Sequence, residues 1–206
     1  MTRIHKLCLA TACAALAVFL VATGPAQANR ALIRKAALET SLGPPAAPPP
    51  EGEIEGACGL AVTPGGGIYV SDHYHQAVDL FSHPDLFPGG FEFQISAAAP
   101  PEGPCGLALS AAGALYANIW HESVVRLEPS FLAIDTGNST GVAVDAAGNL
   151  YVNDRTYVAE YEAPIEPGEE PVAKIGLGSL VDAYGLAAFA GRLYVPDAAS
   201  DTVKVN

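Results

Sequence analysis

The chain has 206 residues, half of them hydrophobic and only 16% charged, a composition that excludes a disordered acidic tail. Its 21 glycines and 17 prolines are too many for a helical bundle, and eight Tyr and seven Phe beside one Met lean towards an all-β protein rich in turns. Ten Lys and Arg against 22 Asp and Glu give a net charge of −12, which excludes nucleic-acid binding through a basic face and argues against docking on anionic lipid.

The chain opens on an export signal. Arg3, His5 and Lys6 form a positive start, and Leu7 to Ala22 then runs for 16 residues without a charge. Thr23-Gly24-Pro25 breaks the run, and Ala26-Gln27-Ala28 supplies a small-x-small cleavage site. A spanning helix wants about 20 apolar residues. Residues 1–28 are therefore expected to be a signal peptide cleaved before Asn29, the alternative being an uncleaved membrane anchor. The mature protein is expected to be secreted, with no stable insertion in a membrane. Cys8 and Cys13 lie inside the apolar run, where they cannot serve as a lipoprotein cysteine after it. Losing Arg3 and Lys6 with the peptide takes the ten basic residues to eight against 22 acidic, a net charge of −14. Only Cys58 and Cys105 remain, an even pair in an oxidising compartment.

Residues 29–55 read as a lead-in, partly disordered. Arg30 to Leu42 has the composition of one short helix, with disorder as the alternative. Gly43 to Pro50 carries five prolines in eight positions, which makes a stiff extended spacer.

From Gly56 onward the chain repeats. Four segments superimpose: GLAVTPGGGIYVSDHYHQAVDLF from Gly59, GLALSAAGALYANIWHESVVRLE from Gly106, GVAVDAAGNLYVNDRTYVAEYE from Gly141, and GLAAFAGRLYVPDAASDTVKVN from Gly185. The tyrosines Tyr69, Tyr116, Tyr151 and Tyr194 follow those glycines at intervals of 10, 10, 10 and 9. Each unit holds three short β runs, and small-residue turns such as Ala146-Ala147-Gly148-Asn149 separate the first two. A fourth run fits between units at Phe91–Ile95, Phe131–Asp135 and Val172–Gly176. Four antiparallel strands recurring every 40 or so residues predict β-propeller blades over residues 56–206. The first run of each unit lies nearest the axis. There Ala61, Ala108, Ala143 and Ala187 let neighbouring blades approach, and Leu60/Val62, Leu107/Leu109, Val142/Val144 and Leu186 fill between sheets.

The register closely resembles the NHL-repeat family, whose unit reads approximately G-I-A-V-D-x-x-G-N-I-Y-V-A-D, a turn, then a V-x-V-F strand. GVAVDAAGNLYVNDRTYVAEY from Gly141 is the best match, and the resemblance covers residues 56–206. It implies an all-β propeller of four-stranded blades, about six to a ring. Four are visible here, and the last ends after its third strand. Two readings stand: a fragment of a longer reading frame, or an open arc completed by another copy. For function the family is uninformative, because its propellers serve as binding platforms, as lyases and as accessory parts.

The meander places the loops after the second runs on one face, together with Cys58 and Cys105. That face collects Asp72, His73, His75, Trp120, His121, Asp154 and Arg155, the candidate ligand-binding residues. His73, His75, His121 and Asp72 are also candidate metal ligands, against the reading of solvated loop histidines. The spacing lacks the paired ligands of a strong zinc motif. Asp72, Asp154 and Asp197 each stand three residues after a blade tyrosine, a recurrence that favours a turn-closing carboxylate over a catalytic one. The residues before the four glycines are Cys58, Cys105, Thr140 and Tyr184, with no carboxylate or imidazole at the axis. No G-x-S-x-G elbow, P-loop or H-E-x-x-H occurs in the sequence. No residue is assigned a catalytic role. The expected function is non-catalytic binding through the loop face, with an extracellular protein or glycan as partner, no nucleic acid and no required cofactor. The alternative is a propeller enzyme, lactonase- or lyase-like, with a divalent metal. Cys58 and Cys105 occupy equivalent positions in adjacent units; they either bridge or pack as two small buried residues.

Overall fold

The computed structural model describes residues 54–82, 90–97, 102–135 and 137–206. The expected signal peptide and nearly all of the expected lead-in lie outside them. Four antiparallel meanders follow one another along the chain. The first is β1 (Leu60–Val62), β2 (Ile68–Asp72), β3 (Ala77–Phe81) and β4 (Phe91–Ser96), and the second is β5 (Pro104–Leu109), β6 (Leu115–Ile119), β7 (Ser123–Glu128) and β8 (Leu132–Asp135). The third is β9 (Gly141–Val144), β10 (Leu150–Asn153), β11 (Val158–Tyr161) and β12 (Ala173–Ile175). The fourth sheet has three strands: β13 (Ala187–Phe189), β14 (Arg192–Asp197) and β15 (Thr202–Val205). The fold is the β-propeller arrangement that the repeat predicts, with the G-[LV]-A segments as inner strands.

Local chemistry fixes each hairpin. Between β9 and β10, Asp145 Oδ1 accepts the N–H of Ala147 at 2.8 Å and of Asn149 at 3.0 Å, and Gly148 supplies the positive φ of +95° that closes the turn. The register then sets which side chains share a face. Tyr151 pairs with Ala143 on one side and Glu160 on the other, and Tyr194 pairs with Ala187 and Val205.

Successive sheets pack face to face by one rule. The trailing face of each sheet carries an inner-strand alanine, the second-strand tyrosine and a third-strand valine. The leading face of the next carries aliphatic side chains from its own first two strands. Ala61, Tyr69 and Val78 thus meet Leu107, Leu115, Ala117 and Ile119. Ala108, Tyr116 and Val124 meet Val142, Leu150 and Val152, while Tyr151 and Val158 meet Leu186, Leu193 and Val195. Leu60 and Val62 depart from the expectation. They occupy the leading face of the first sheet, where no earlier sheet stands among the described residues, and are 61% and 57% exposed rather than packed between sheets.

Val152 is fully buried at the centre of the second of these cores. Truncating it to alanine removes two methyl groups and leaves a cavity between rigid sheets. Val152→Ala is expected to cost about 2 kcal/mol, read as a lower urea midpoint with an unchanged slope.

Candidate functional site at the channel mouth

The inner strands β1, β5, β9 and β13 stand side by side and line an axial channel. Hydrogen bonds tie the heads of the third and fourth sheets: Gly185 donates its N–H to Thr140 O at 3.0 Å, and the Asn153 side chain donates from Nδ2 to Gly185 O at 2.9 Å. Thr140 Oγ1 donates to Ala183 O at 2.9 Å. At the loop end the channel opens into a cleft of about 420 Å³ whose wall includes Cys58, Cys105, Trp120, Thr140, Tyr184 and Leu186. Cys58 and Cys105 are joined by a disulfide with Cα atoms 5.1 Å apart, so the bridge ties β1 to β5 at the rim.

The rim is aromatic. Trp120 follows β6, and its loop is pinned by Trp120 N–H to Gly103 O at 3.1 Å and His121 N–H to Ser139 O at 2.9 Å. Its indole stacks on Tyr184 with centroids 6.0 Å apart and planes 25° apart, while the His121 ring stands edge-on to both. The Arg155 guanidinium lies 5.6 Å from the centre of the Tyr184 ring. Asp182 fixes it by accepting from Nε at 2.9 Å and also from Nη2, and this pairing holds the guanidinium more firmly in its charged form. One indole, one phenol and one oriented cation therefore converge on the mouth. That set suits a ligand offering a flat ring face and an anionic or carbonyl group.

Three of the seven candidate residues meet here: Trp120, His121 and Arg155. Tyr184 and Asp182 complete the group. In the sequence Tyr184 stands out only as the residue before the fourth glycine, and nothing in the spacing marks Asp182.

The other four lie elsewhere. Asp72 is buried; its Oδ1 accepts the N–H of Glu55 at 3.0 Å and its Oδ2 lies 2.7 Å from His75 Nδ1. His73 faces Glu102 at 3.6 Å, and His121 Nδ1 lies 2.9 Å from Asn138 Oδ1. His73 and His75 share the loop between β2 and β3 and His121 lies in the loop between β6 and β7, and the three side chains have separate partners. Among the described residues, no group of three or more His, Cys, Asp or Glu is placed to hold a metal ion. Asp197 acts as Asp72 does, accepting the N–H of Asp182 at 3.1 Å, so two of the three recurring aspartates tie the end of a second strand to the incoming link.

Asp154 does not. The N–H of Gly137 goes instead to Asp135 Oδ1 at 2.6 Å, and both Asp154 oxygens are buried with no hydrogen-bond partner among the described residues. A side chain at position 137 would place Cβ 2.8 Å from Asp154 Oδ1 and 2.9 Å from Asp135 Oδ1. Tyr161 donates to Asp135 Oδ2 at 2.6 Å. Burial pushes the Asp154 carboxyl above the ordinary carboxylate range; the Asp135 charge adds to the rise, while the Tyr157 hydroxyl and Lys174 pull the other way. The Tyr157 hydroxyl is itself pushed up to about 12, chiefly by burial and then by Asp154. With its folded value raised, Asp154 holds its proton more tightly in the native state than in the unfolded chain, so its contribution to stability falls as pH rises from just below 4. Asp154→Asn is expected to flatten that slope and to melt above the wild type at pH 7, the gap closing towards pH 4. Melting curves of both proteins across that range check it.

No family model matches the chain, and no curated protein matches it. Solved structures do. The chain is similar to streptogramin B lyase, with a TM-score of 0.56 and 10% identity over 74% of this chain and 54% of the other. It is similar to a catalytically inactive virginiamycin B lyase from Staphylococcus aureus with quinupristin (TM-score 0.55, 12% identity, 77% and 54% covered). It is also similar to the WD40 repeats of RRP9 (TM-score 0.52, 18% identity, 72% and 50% covered). At these identities the likeness establishes the β-propeller fold alone, and the chain spans about half the length of the solved structures it matches.

Proposed function

We propose that the protein is an exported, NHL-type propeller that binds an extracellular protein or glycan at the channel mouth without transforming it. The observation that carries the reading is the stacked Trp120–Tyr184 pair with Arg155 pinned beside it by Asp182. Rigid aromatic faces bury large area at low entropic cost, and an oriented guanidinium adds polar specificity. WD40 repeats among the similar structures are in keeping with a platform that presents a loop face. The NHL assignment rests on the GVAVDAAGNLYVNDRTYVAEY register, and export rests on the apolar run and cleavage site of residues 1–28.

Trp120 is the only tryptophan in the chain, so its emission reports on the mouth directly. Ligands selected from a glycan array and from extracellular-protein panels are expected to shift that emission. Trp120→Phe in a Tyr184→Ala background should then lose at least tenfold in affinity, measured by calorimetry, with the fold intact by circular dichroism. Ligands that bind the double variant as tightly as the wild type would refute the mouth as the binding site.

A lyase-like enzyme is the second reading, favoured by the two lyases among the similar structures. It predicts turnover of a candidate ligand and a stoichiometric divalent ion in purified protein. A ligand recovered unchanged after prolonged incubation with metal-loaded protein speaks for binding alone.

A further inference from the structure

Asp182 pins Arg155 through one oxygen. Its Oδ1 accepts from Nε at 2.9 Å and also from Nη2. Among the described residues nothing pairs with Asp182 Oδ2 or with Arg155 Nη1, and the two side chains keep 32% and 36% of their surface in solvent. The indole N–H of Trp120 and the hydroxyl of Tyr184 likewise have no hydrogen-bond partner among the described residues. Both rings are half-buried and belong to the wall of the cleft. The mouth thus surrounds two aromatic rings with four unpaired polar groups. The carboxylate oxygen only accepts, the guanidinium and indole N–H groups only donate, and the hydroxyl does both.

Arg155 alone would suit an anion or a carbonyl, but the carboxylate beside it changes the choice. A ligand carboxylate or sulfate brought to Arg155 would meet Asp182 and a chain of net charge −12. A carbonyl answers the donors and leaves Asp182 Oδ2 empty. A hydroxyl donates once and accepts twice, so neighbouring hydroxyls answer the carboxylate and the guanidinium together. The rings add the second half of the pattern, because their negative faces attract the polarised C–H groups of a saturated ring. A pyranose carries both features, C–H groups on its flat face and hydroxyls around its edge. A tyrosine from a protein partner would also stack, but it brings one hydroxyl to four polar groups. The cleft of about 420 Å³ is also a concave pocket of small-ligand size rather than a flat protein interface. Resting on the reading of the mouth as the binding site, we propose that its ligand is a neutral sugar ring of a glycan. The ring stacks on Trp120 and Tyr184, its vicinal hydroxyls bond Arg155 Nη1 and Asp182 Oδ2, and glycans bearing a carboxylate or sulfate there are rejected.

The test applies an array of neutral, uronate-bearing and sulfated glycans to the full mature chain. Calorimetry and Trp120 emission then compare each neutral hit with the same oligosaccharide oxidised to its uronate. The neutral form is expected to bind about tenfold more tightly, and its affinity should hardly change with salt. Asp182→Asn should weaken the neutral form and narrow that preference to about threefold or less, because it removes both the acceptor and the repulsion. Arg155→Lys should weaken the neutral form about tenfold yet still reject the uronate, since the charge stays and the fork is lost. Circular dichroism confirms that each variant is folded. A uronate bound as tightly as its neutral parent overturns the proposal and leaves the mouth standing as a binding site. An array without neutral hits also overturns it, and a protein ligand lost in the Trp120→Phe, Tyr184→Ala double variant would then keep the mouth. Neutral glycans that bind that double variant undiminished would overturn both.

Discussion

Alanine at Gly59 or Gly141 is expected to destabilise the protein by about 3 kcal/mol, more than an ordinary surface or turn substitution. These glycines sit where inner strands of neighbouring sheets come together. A Cβ on Gly59 would lie 2.0 Å from Cys105 O, and one on Gly141 would lie 2.5 Å from Gly185 Cα. In both cases the obstacle is backbone, which no rotamer change can move aside. Relief requires that two sheets separate at the axis, and separation loosens the cores that both sheets share. Gly113→Ala isolates this effect from backbone preference. It has a φ of +89° with nothing within 4 Å of the added methyl, so it should cost only about 1 kcal/mol. Urea unfolding of the three variants checks the order. Equal losses at all three positions would show that close approach at the axis is not what these glycines provide.

Much of this architecture is written in periodic features. The G-[LV]-A segments, the tyrosine ten residues on and the Gly-rich turns recur because every sheet solves one packing problem, and a solution used four times is visible in one sequence. The polar latches were harder to see. The residue two after each tyrosine is Ser71, Asn118 or Asn153, and each ties an inner-strand glycine. Ser71 Oγ accepts the N–H of Gly59 at 2.7 Å, Asn118 Oδ1 accepts that of Gly106, and Asn153 Nδ2 donates to Gly185 O. Their identities differ because a hydroxyl and an amide oxygen can both accept the glycine N–H of their own sheet, while Asn153 reaches on to the next sheet and Pro196 takes the position in the fourth, so no single letter repeats. The channel mouth was legible only in part. Loop position identified Trp120, His121 and Arg155, because they follow second strands. Tyr184 and Asp182 reach the same place from the link before β13, and pairing across links leaves no fixed spacing. The same limit explains the histidines. Being on one face is a property of topology, whereas converging on one point depends on loop conformations that differ from sheet to sheet.

Loss of the Cys58–Cys105 bridge is expected to have the largest effect of all, about 4 kcal/mol, when both cysteines become serine. The bond closes a sequence separation of 47 residues, so the unfolded chain gains considerable freedom without it. Its position adds a second consequence. The bridge joins β1 to β5, and the first sheet is held in the described structure by one packed face, its trailing side. The second and third sheets are each held on two. Cutting the bridge should therefore loosen the first sheet before the others, and hydrogen exchange is expected to quicken in β1–β4 while β9–β12 keeps its protection. Dithiothreitol on the wild type should reproduce both the drop in urea midpoint and the local pattern. The unreduced, unfolded mature protein should show no free thiol and should run as a single chain on a denaturing, non-reducing gel. Two free thiols per chain would sink the prediction at its premise. A bridged protein whose reduction accelerated exchange equally in every sheet would show instead that the bond acts on the unfolded state alone.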